Sequence, residues 1–414
     1  VAFRFLVPLF CGLLLNGSLA AEDHDRFIFF MTGPSDGFEA GKPDGFSAAN
    51  VEKIMQHFDG LPDDGVRVGL SCIFSYFKYR PETVQQSLRN YLQAAEETDT
   101  PITVKLDGEQ WWDARPDLWN WWDPDLPGYD PDNVSNVEWT GWGPEYALKS
   151  AWRDWGRQIR VRPPPNLMSP AYRKACHEAL EPLLAIIMDW QRSLPKEKRD
   201  LLVGVEVGWE SAIGVNHFYP KEGDDYLDLQ AKDDPRFKKD RSQLLNRGGK
   251  TQGYAAAYTG GIRKSGTLEY EDQVKIVQRH LEDLSRVLRK AGLPRSRIFT
   301  HGWGNEDGEA LYDAAVNRYS CPGWSCYWYS HRMQDDSGIN RGIRESDAEY
   351  WAAVEWLFRF EFKKEPWIRA FKSTLFHRNC RYLTFYNWSA IMEKENGDQI
   401  IEAVHEVIKE HNRE

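Results

Sequence analysis

Short apolar runs alternate along the chain with longer stretches in which apolar residues recur every three to four positions, about eight times over. The short runs read as buried strands and the longer ones as amphipathic helices. Strands are expected over 27–31, 66–73, 102–106, 201–208, 297–300, 323–329, 351–356 and 382–388. Helices are expected over 47–58, 81–97, 170–194, 270–291, 367–377 and 397–412. Residues 270–291 carry the strongest helical stripe: Val274, Ile276, Val277, Leu281, Leu284, Val287 and Leu288, with Gly292 and Pro294 closing it. The sixth strand is followed by little or no helix. Strictly alternating strand and helix predict a parallel α/β architecture. Eight repeats predict a (β/α)₈ TIM barrel, with long loops after strands three and four.

Composition narrows the picture. The chain has 414 residues, enough for one barrel with insertions. A net charge of −11 disfavours a nucleic-acid backbone as partner. The basic run Arg153, Arg157, Arg160 and Arg162 reads as a solvated face or as a contact for an acidic sugar. The chain holds 18 Trp, and indole is bulky enough that some of it is expected to line a cleft. The loop after strand three concentrates it, at Trp111, Trp112, Trp119, Trp121, Trp122, Trp139 and Trp142. A loop so long and so aromatic reads as a wall of a binding site.

Residues 1–21 read as a secretory signal peptide: Arg4, an apolar stretch to Leu15, then Gly17-Ser18-Leu19-Ala20-Ala21. The expected domain layout is therefore 1–21 signal and 22–414 a single catalytic barrel, secreted or extracytoplasmic, with no membrane insertion. Beyond Cys11, the cysteines are Cys72, Cys176, Cys321, Cys326 and Cys380. Cys321 and Cys326 are close enough in sequence to pair, and buried free thiols are the equal alternative. None has zinc-site spacing, and no cofactor is expected. Asn133-Val-Ser matches a glycosylation sequon in a polar loop, and Asn387-Trp-Ser matches one in a strand-like stretch.

In a barrel of this kind the chemistry gathers at the C-terminal ends of the strands. Those ends carry Asp107 and Glu109, Glu210, His301, Tyr327 and Tyr329, Glu355, and Asn387 with Trp388. Trp111, Trp209 and Trp303 adjoin them as aromatic surfaces. Two carboxylates across a sugar linkage are the usual apparatus of glycoside hydrolysis, one protonated and one ionised. Glu210, beside Trp209, is the expected acid, its surroundings apolar. Glu355, within Ala-Ala-Val-Glu-Trp, is the expected nucleophile, held ionised by His301 and a strand-six tyrosine. The remaining ten residues named above are expected to bind a carbohydrate substrate. Glu206 is expected to face the same side as Glu210 and to be structural, paired with a cation or a hydroxyl.

The placement of Glu210 after strand four and Glu355 on strand seven resembles clan-A retaining glycoside hydrolases, most nearly the family 42 β-galactosidase-like group. The resemblance covers the layout of the barrel. It implies double displacement with Glu355 as nucleophile and Glu210 as acid/base, a strand-six tyrosine on the nucleophile, and Trp388 stacked under the sugar. Trp209 stands where that clan has an asparagine contacting the sugar's 2-hydroxyl. Two other readings compete. A catalytically inactive carbohydrate-binding barrel predicts the two glutamates far apart. A metal-dependent hydrolase predicts that His301, Asp107 and Glu109 converge.

Overall fold

The structure is a computed structural model that describes residues 26–62, 65–149, 151–154, 158–213, 215–216, 250–303, 310–358, 363–393 and 397–411. The expected signal segment, most of the loop after strand four and the side chains of Arg153, Arg157 and Arg160 lie outside the described residues.

Eight parallel strands close into a barrel: β1 (Arg26–Thr32), β2 (Val66–Ser75), β3 (Ile102–Asp107), β4 (Leu202–Ser211), β5 (Ile298–Gly302), β6 (Gly323–Cys326), β7 (Trp351–Trp356) and β8 (Cys380–Phe385). Each pairs with its sequence neighbours and β8 closes on β1, with Phe27 opposite Tyr382. Around it pack α1 (Ala48–Met55), α2 (Pro81–Glu97), α3 (Pro170–Ser193), α4 (Tyr270–Ala291), α5 (Ser337–Glu345), α6 (Lys364–Leu375) and α7 (Gly397–His411). The (β/α)₈ fold is the one the alternation predicts. After β5 the described part of the crossover is a 3₁₀ turn, Ala310–Ala315, and α5 after β6 has only 9 residues.

Inside the barrel the filling changes with height. Phe27, Phe29, Val203, Phe299, Ala352, Val354 and Tyr382 pack one end as an apolar plug. Toward the C-terminal end the interior turns polar, with Lys105, Glu206, Ser325, Glu210 and Glu355 all buried. Charged groups sit in such a place only when paired.

Two strands end earlier than their apolar pattern suggests. β6 stops at Cys326, so Tyr327 and Tyr329 leave the ladder. β8 stops at Phe385 because the Asn387 side chain accepts the Ala390 amide (3.0 Å) and caps a short helix, Trp388–Met392. The loop after β3 is built by its tryptophans. Indole N–H groups of Trp112, Trp119, Trp121, Trp139 and Trp142 donate to the carbonyls of Pro163, Trp112, Leu148, Val134 and Gly266 at 2.6–3.0 Å. Most of this aromatic content therefore holds the loop together instead of lining a cleft. Arg162 stacks over Trp119, 4.6 Å from the ring centroid, and pairs with Asp113.

Cys72, Cys176, Cys321, Cys326 and Cys380 are free, buried thiols. Asn133 is buried, and its amide donates to the carbonyls of Asn120 and Gly128. The amide nitrogen of that sequon therefore points into the loop. No helix among the described residues is long and apolar enough to cross a membrane.

Candidate active site

Glu210 lies at the end of β4, where the strand bulges: pairing with β5 jumps from Val207–Thr300 to Ser211–Gly302. Its backbone is left-handed, φ 48°, a conformation that costs a non-glycine residue energy and persists only when its surroundings enforce it. The carboxylate is buried at the barrel's C-terminal end. Ser325, from β6, donates to Oε1 at 2.9 Å, and the Tyr327 hydroxyl lies 3.1 Å from the same oxygen.

Glu355, on β7, is also buried, and its Oε1 is hydrogen-bonded to the same Tyr327 hydroxyl. Two carboxylate oxygens that share one phenol oxygen are held within about 6 Å of one another. Burial and the two neighbouring glutamates push the Tyr327 phenol well above its ordinary pKa, so it keeps its proton. Oε2 of Glu355 faces Lys105 Nζ at 3.6 Å. Lys105 is fully buried and also lies 3.4 Å from Glu206 Oε2. Tyr382 donates to Glu206 Oε1 at 3.0 Å, so Glu206 has both the cation and the hydroxyl expected of it. Burial raises the Glu206 pKa, and Lys105 and Tyr382 pull it part of the way back.

His301 does not reach Glu355. It is fully buried, and its Nε2 lies 2.8 Å from Ser325 Oγ, so it stands behind Glu210 through that serine. Burial, with Lys105 nearby, holds the imidazole well below its ordinary pKa and therefore neutral. A neutral ring with Nε2–H donates to Ser325, which donates to Glu210. The expected apolar surround of Glu210 is thus corrected to a hydroxyl-lined one.

Several residues expected to touch substrate are engaged elsewhere. Asp107 is buried. It accepts from Ser75 Oγ (2.9 Å) and from the backbone amides of Glu109 (2.9 Å) and Gln110 (3.2 Å), which is a turn cap. Burial lifts its pKa to about 6. Glu109 accepts from Ser211 Oγ (2.7 Å) and meets His280 Nε2 (3.0 Å) on α4. Trp388 is buried, with its ring against Phe30, His57 and Phe58, so it belongs to the core and is no open platform. Asn387 serves as the helix cap described above. Trp111 and Trp209 are half-buried, as are Trp303 and Tyr329; Lys78 sits over the Trp111 ring and Arg332 over Tyr329.

Lys105 and Ser325, and with them Trp328 and Tyr386, are not among the residues that the strand-end pattern singles out. The last two follow β6 and β8 with 52% and 37% of their surface exposed. They are large rings open to solvent at the C-terminal end of the barrel. The side chains of His301, Asp107 and Glu109 bond to different groups: Ser325 for the first, Ser75 and two backbone amides for the second, Ser211 and His280 for the third. Among the described residues no group of three or more His, Cys, Asp or Glu is disposed to hold a metal ion.

No family model matches the chain, and no curated protein matches it in sequence. Solved structures similar to it include an exo-β-1,4-mannosidase from Opitutaceae bacterium strain TAV5 (8% identity, TM-score 0.49, 94% of this chain and 61% of that one). Another is the catalytic domain of β-amylase from Paenibacillus polymyxa (9% identity, TM-score 0.47, 94% and 99%). A third is a glycoside hydrolase family 5 enzyme from Prevotella bryantii B14 (9% identity, TM-score 0.44, 93% and 96%). These neighbours are glycoside hydrolases, and at such identities the likeness is to their barrels alone.

Proposed function

We propose that this protein is a retaining O-glycoside hydrolase with Glu355 as nucleophile and Glu210 as acid/base. The observation that carries the reading is the single Tyr327 hydroxyl bonded to both carboxylates at the C-terminal end of the barrel. The resulting separation suits direct attack by one carboxylate. An inverting pair stands about 6.5–9.5 Å apart to admit a water. Tyr327 has one proton for two acceptors. The set is satisfied when that proton goes to Glu355 and Glu210 carries its own, the state from which catalysis starts.

In the first step a Glu355 oxygen bonds to the anomeric carbon and the glycosidic C–O bond breaks. Glu210 gives its proton to the departing oxygen. The products are a glycosyl ester on Glu355 and a free alcohol. In the second step Glu210, now a carboxylate, takes a proton from water, whose oxygen bonds to the anomeric carbon as the ester C–O bond breaks. Trp328 and Tyr386 supply flat faces for the C–H surfaces of sugar rings. The reading is made at the level of retaining barrel hydrolases rather than of family 42. We assign its carbohydrate substrate to an extracytoplasmic setting on the strength of the N-terminal segment.

The test is a panel of phenyl and dinitrophenyl glycosides of glucose, galactose, mannose and xylose in both anomeric forms. The chain should cleave at least one, and Glu355→Ala and Glu210→Ala should each abolish or cripple that cleavage. Added azide should restore turnover, giving a glycosyl azide of inverted configuration with the first variant and retained configuration with the second. Cleavage that survives both substitutions refutes the assignment.

A further inference from the structure

The residues on either side of Glu210 are gripped by two consecutive residues of another loop. Gln110 Nε2 donates to the Trp209 carbonyl at 2.7 Å, and Ser211 Oγ donates to Glu109 Oε1 at 2.7 Å. Glu109 and Gln110 are themselves fixed, because both their amides donate to the buried Asp107 carboxylate. His280 closes the set from α4 against Glu109 Oε1, while its own Nδ1 finds no partner among the described residues.

Between the gripped residues, Glu210 has φ 48°, and Gly208 has φ 83°. A Cβ at Gly208 would lie 2.4 Å from Ser211 Oγ and 3.3 Å from Glu109 Oε1, so the bulge closes tightly on the hydroxyl that Glu109 holds. A left-handed conformation is costly for a glutamate and persists where the surrounding structure enforces it. In a strand the side-chain direction alternates, so relaxation there turns the carboxylate away from Tyr327 and Ser325.

We propose that Glu109 and Gln110, mounted on the Asp107 turn, are positioning residues. Acting through Ser211 and Trp209, they hold the Gly208–Ser211 bulge so that Glu210 presents its proton to the leaving oxygen. This rests on Glu210 being the acid/base. It gives Asp107 and Glu109 a role behind the site in place of contact with sugar.

General acid assistance matters in proportion to how poor the leaving group is, which separates aim from bulk stability. The variants are Ser211→Ala and Gln110→Leu, singly and together, with Ser211→Thr as the conservative control. The assay is kcat/KM, which reports the step that breaks the glycosidic bond, for the phenyl and the dinitrophenyl glycoside of whichever sugar the wild type accepts. The double variant should lose about 10²-fold on the phenyl glycoside, the scale of a misaimed catalytic group. It should lose less than about threefold on the dinitrophenyl one, whose leaving group needs no proton. Ser211→Thr should restore most of the single-site loss. Equal losses on both substrates, or no loss on either, overturn the proposal.

A crystal structure of the double variant gives a readout independent of substrate. Glu210 should leave the left-handed region and lose its bonds to Ser325 and Tyr327, and an unchanged Glu210 also overturns the proposal. If the wild type cleaves no glycoside at all, the hydrolase reading fails on that result alone, and the crystal structure still decides whether the bulge depends on its grip.

Discussion

Replacing Lys105 with methionine keeps the volume of the side chain and removes the cation from the middle of the barrel. Two carboxylate oxygens then lose their closest partner: Glu206 Oε2 at 3.4 Å and Glu355 Oε2 at 3.6 Å, neither of which has a hydrogen-bond donor among the described residues. At the effective dielectric that suits charge pairs in proteins, each contact at this distance is worth about 4 kcal/mol before desolvation is subtracted. Removing one member of a buried pair typically costs about 3–5 kcal/mol. Glu206, whose pKa is already raised by burial, can take up a proton when the lysine is gone, which limits the loss. We therefore expect Lys105→Met to destabilise by about 3 kcal/mol at neutral pH and by less under acid conditions, where that proton is cheaper to acquire. The assay is urea unfolding of wild type, Lys105→Met, Glu206→Gln and the double variant at acid and alkaline pH. The double variant should recover at least about half of the Lys105→Met loss, because one of the two carboxylates left without a cation is gone. Strict additivity of the two substitutions, with the same cost at both pH values, refutes the reasoning.

Glu138 is buried in the loop after β3, accepts the Gly253 amide at 3.0 Å, and has its pKa lifted by burial to about 8. A carboxyl with a raised folded pKa contributes stability that is complete below its unfolded value and is lost as pH rises through the folded one. Between about pH 4.5 and 8 the wild type should lose about 4 kcal/mol relative to Glu138→Gln, measured by denaturant midpoints; parallel pH profiles for the two proteins contradict this. Tyr327→Phe removes the hydroxyl shared by both glutamates and should lower kcat about 10²-fold with little change in KM, checked by steady-state kinetics on the best glycoside. Trp328→Ala should do the opposite, raising KM about threefold to tenfold with kcat nearly intact, the scale of one lost aromatic contact.

The strands and helices were legible because their hydrophobic periods differ, and the eightfold alternation leaves few topologies open. Glu210 and Glu355 were legible because a charged residue at the end of a buried strand needs a reason to be there. Lys105 could have been found by the same argument, since it is the one cation in Ile-Thr-Val-Lys-Leu-Asp and stands opposite Glu206 in the register of β3 and β4. Asp107 misled because a carboxylate at a strand end looks like a ligand. Its capacity to accept amides two and three residues on is the local signal that it closes a turn. Trp388 misled for a related reason: Asn387 reads as one more strand residue until its cap is seen, and the cap swings the indole into the core. Ser325 carried no signal in the sequence, because its role depends on His301 and Glu210 arriving from two other strands.

The most direct test of the central claim is to trap the glycosyl ester. The wild type is treated with the 2-deoxy-2-fluoro dinitrophenyl glycoside of its best sugar, digested with trypsin and analysed by mass spectrometry. The account predicts one fluorosugar per chain, lost activity, and the label on Glu355 in the peptide that contains Trp351–Trp356. A label on any other residue, or an unlabelled protein that hydrolyses its natural-configuration substrate to the inverted anomer, contradicts it.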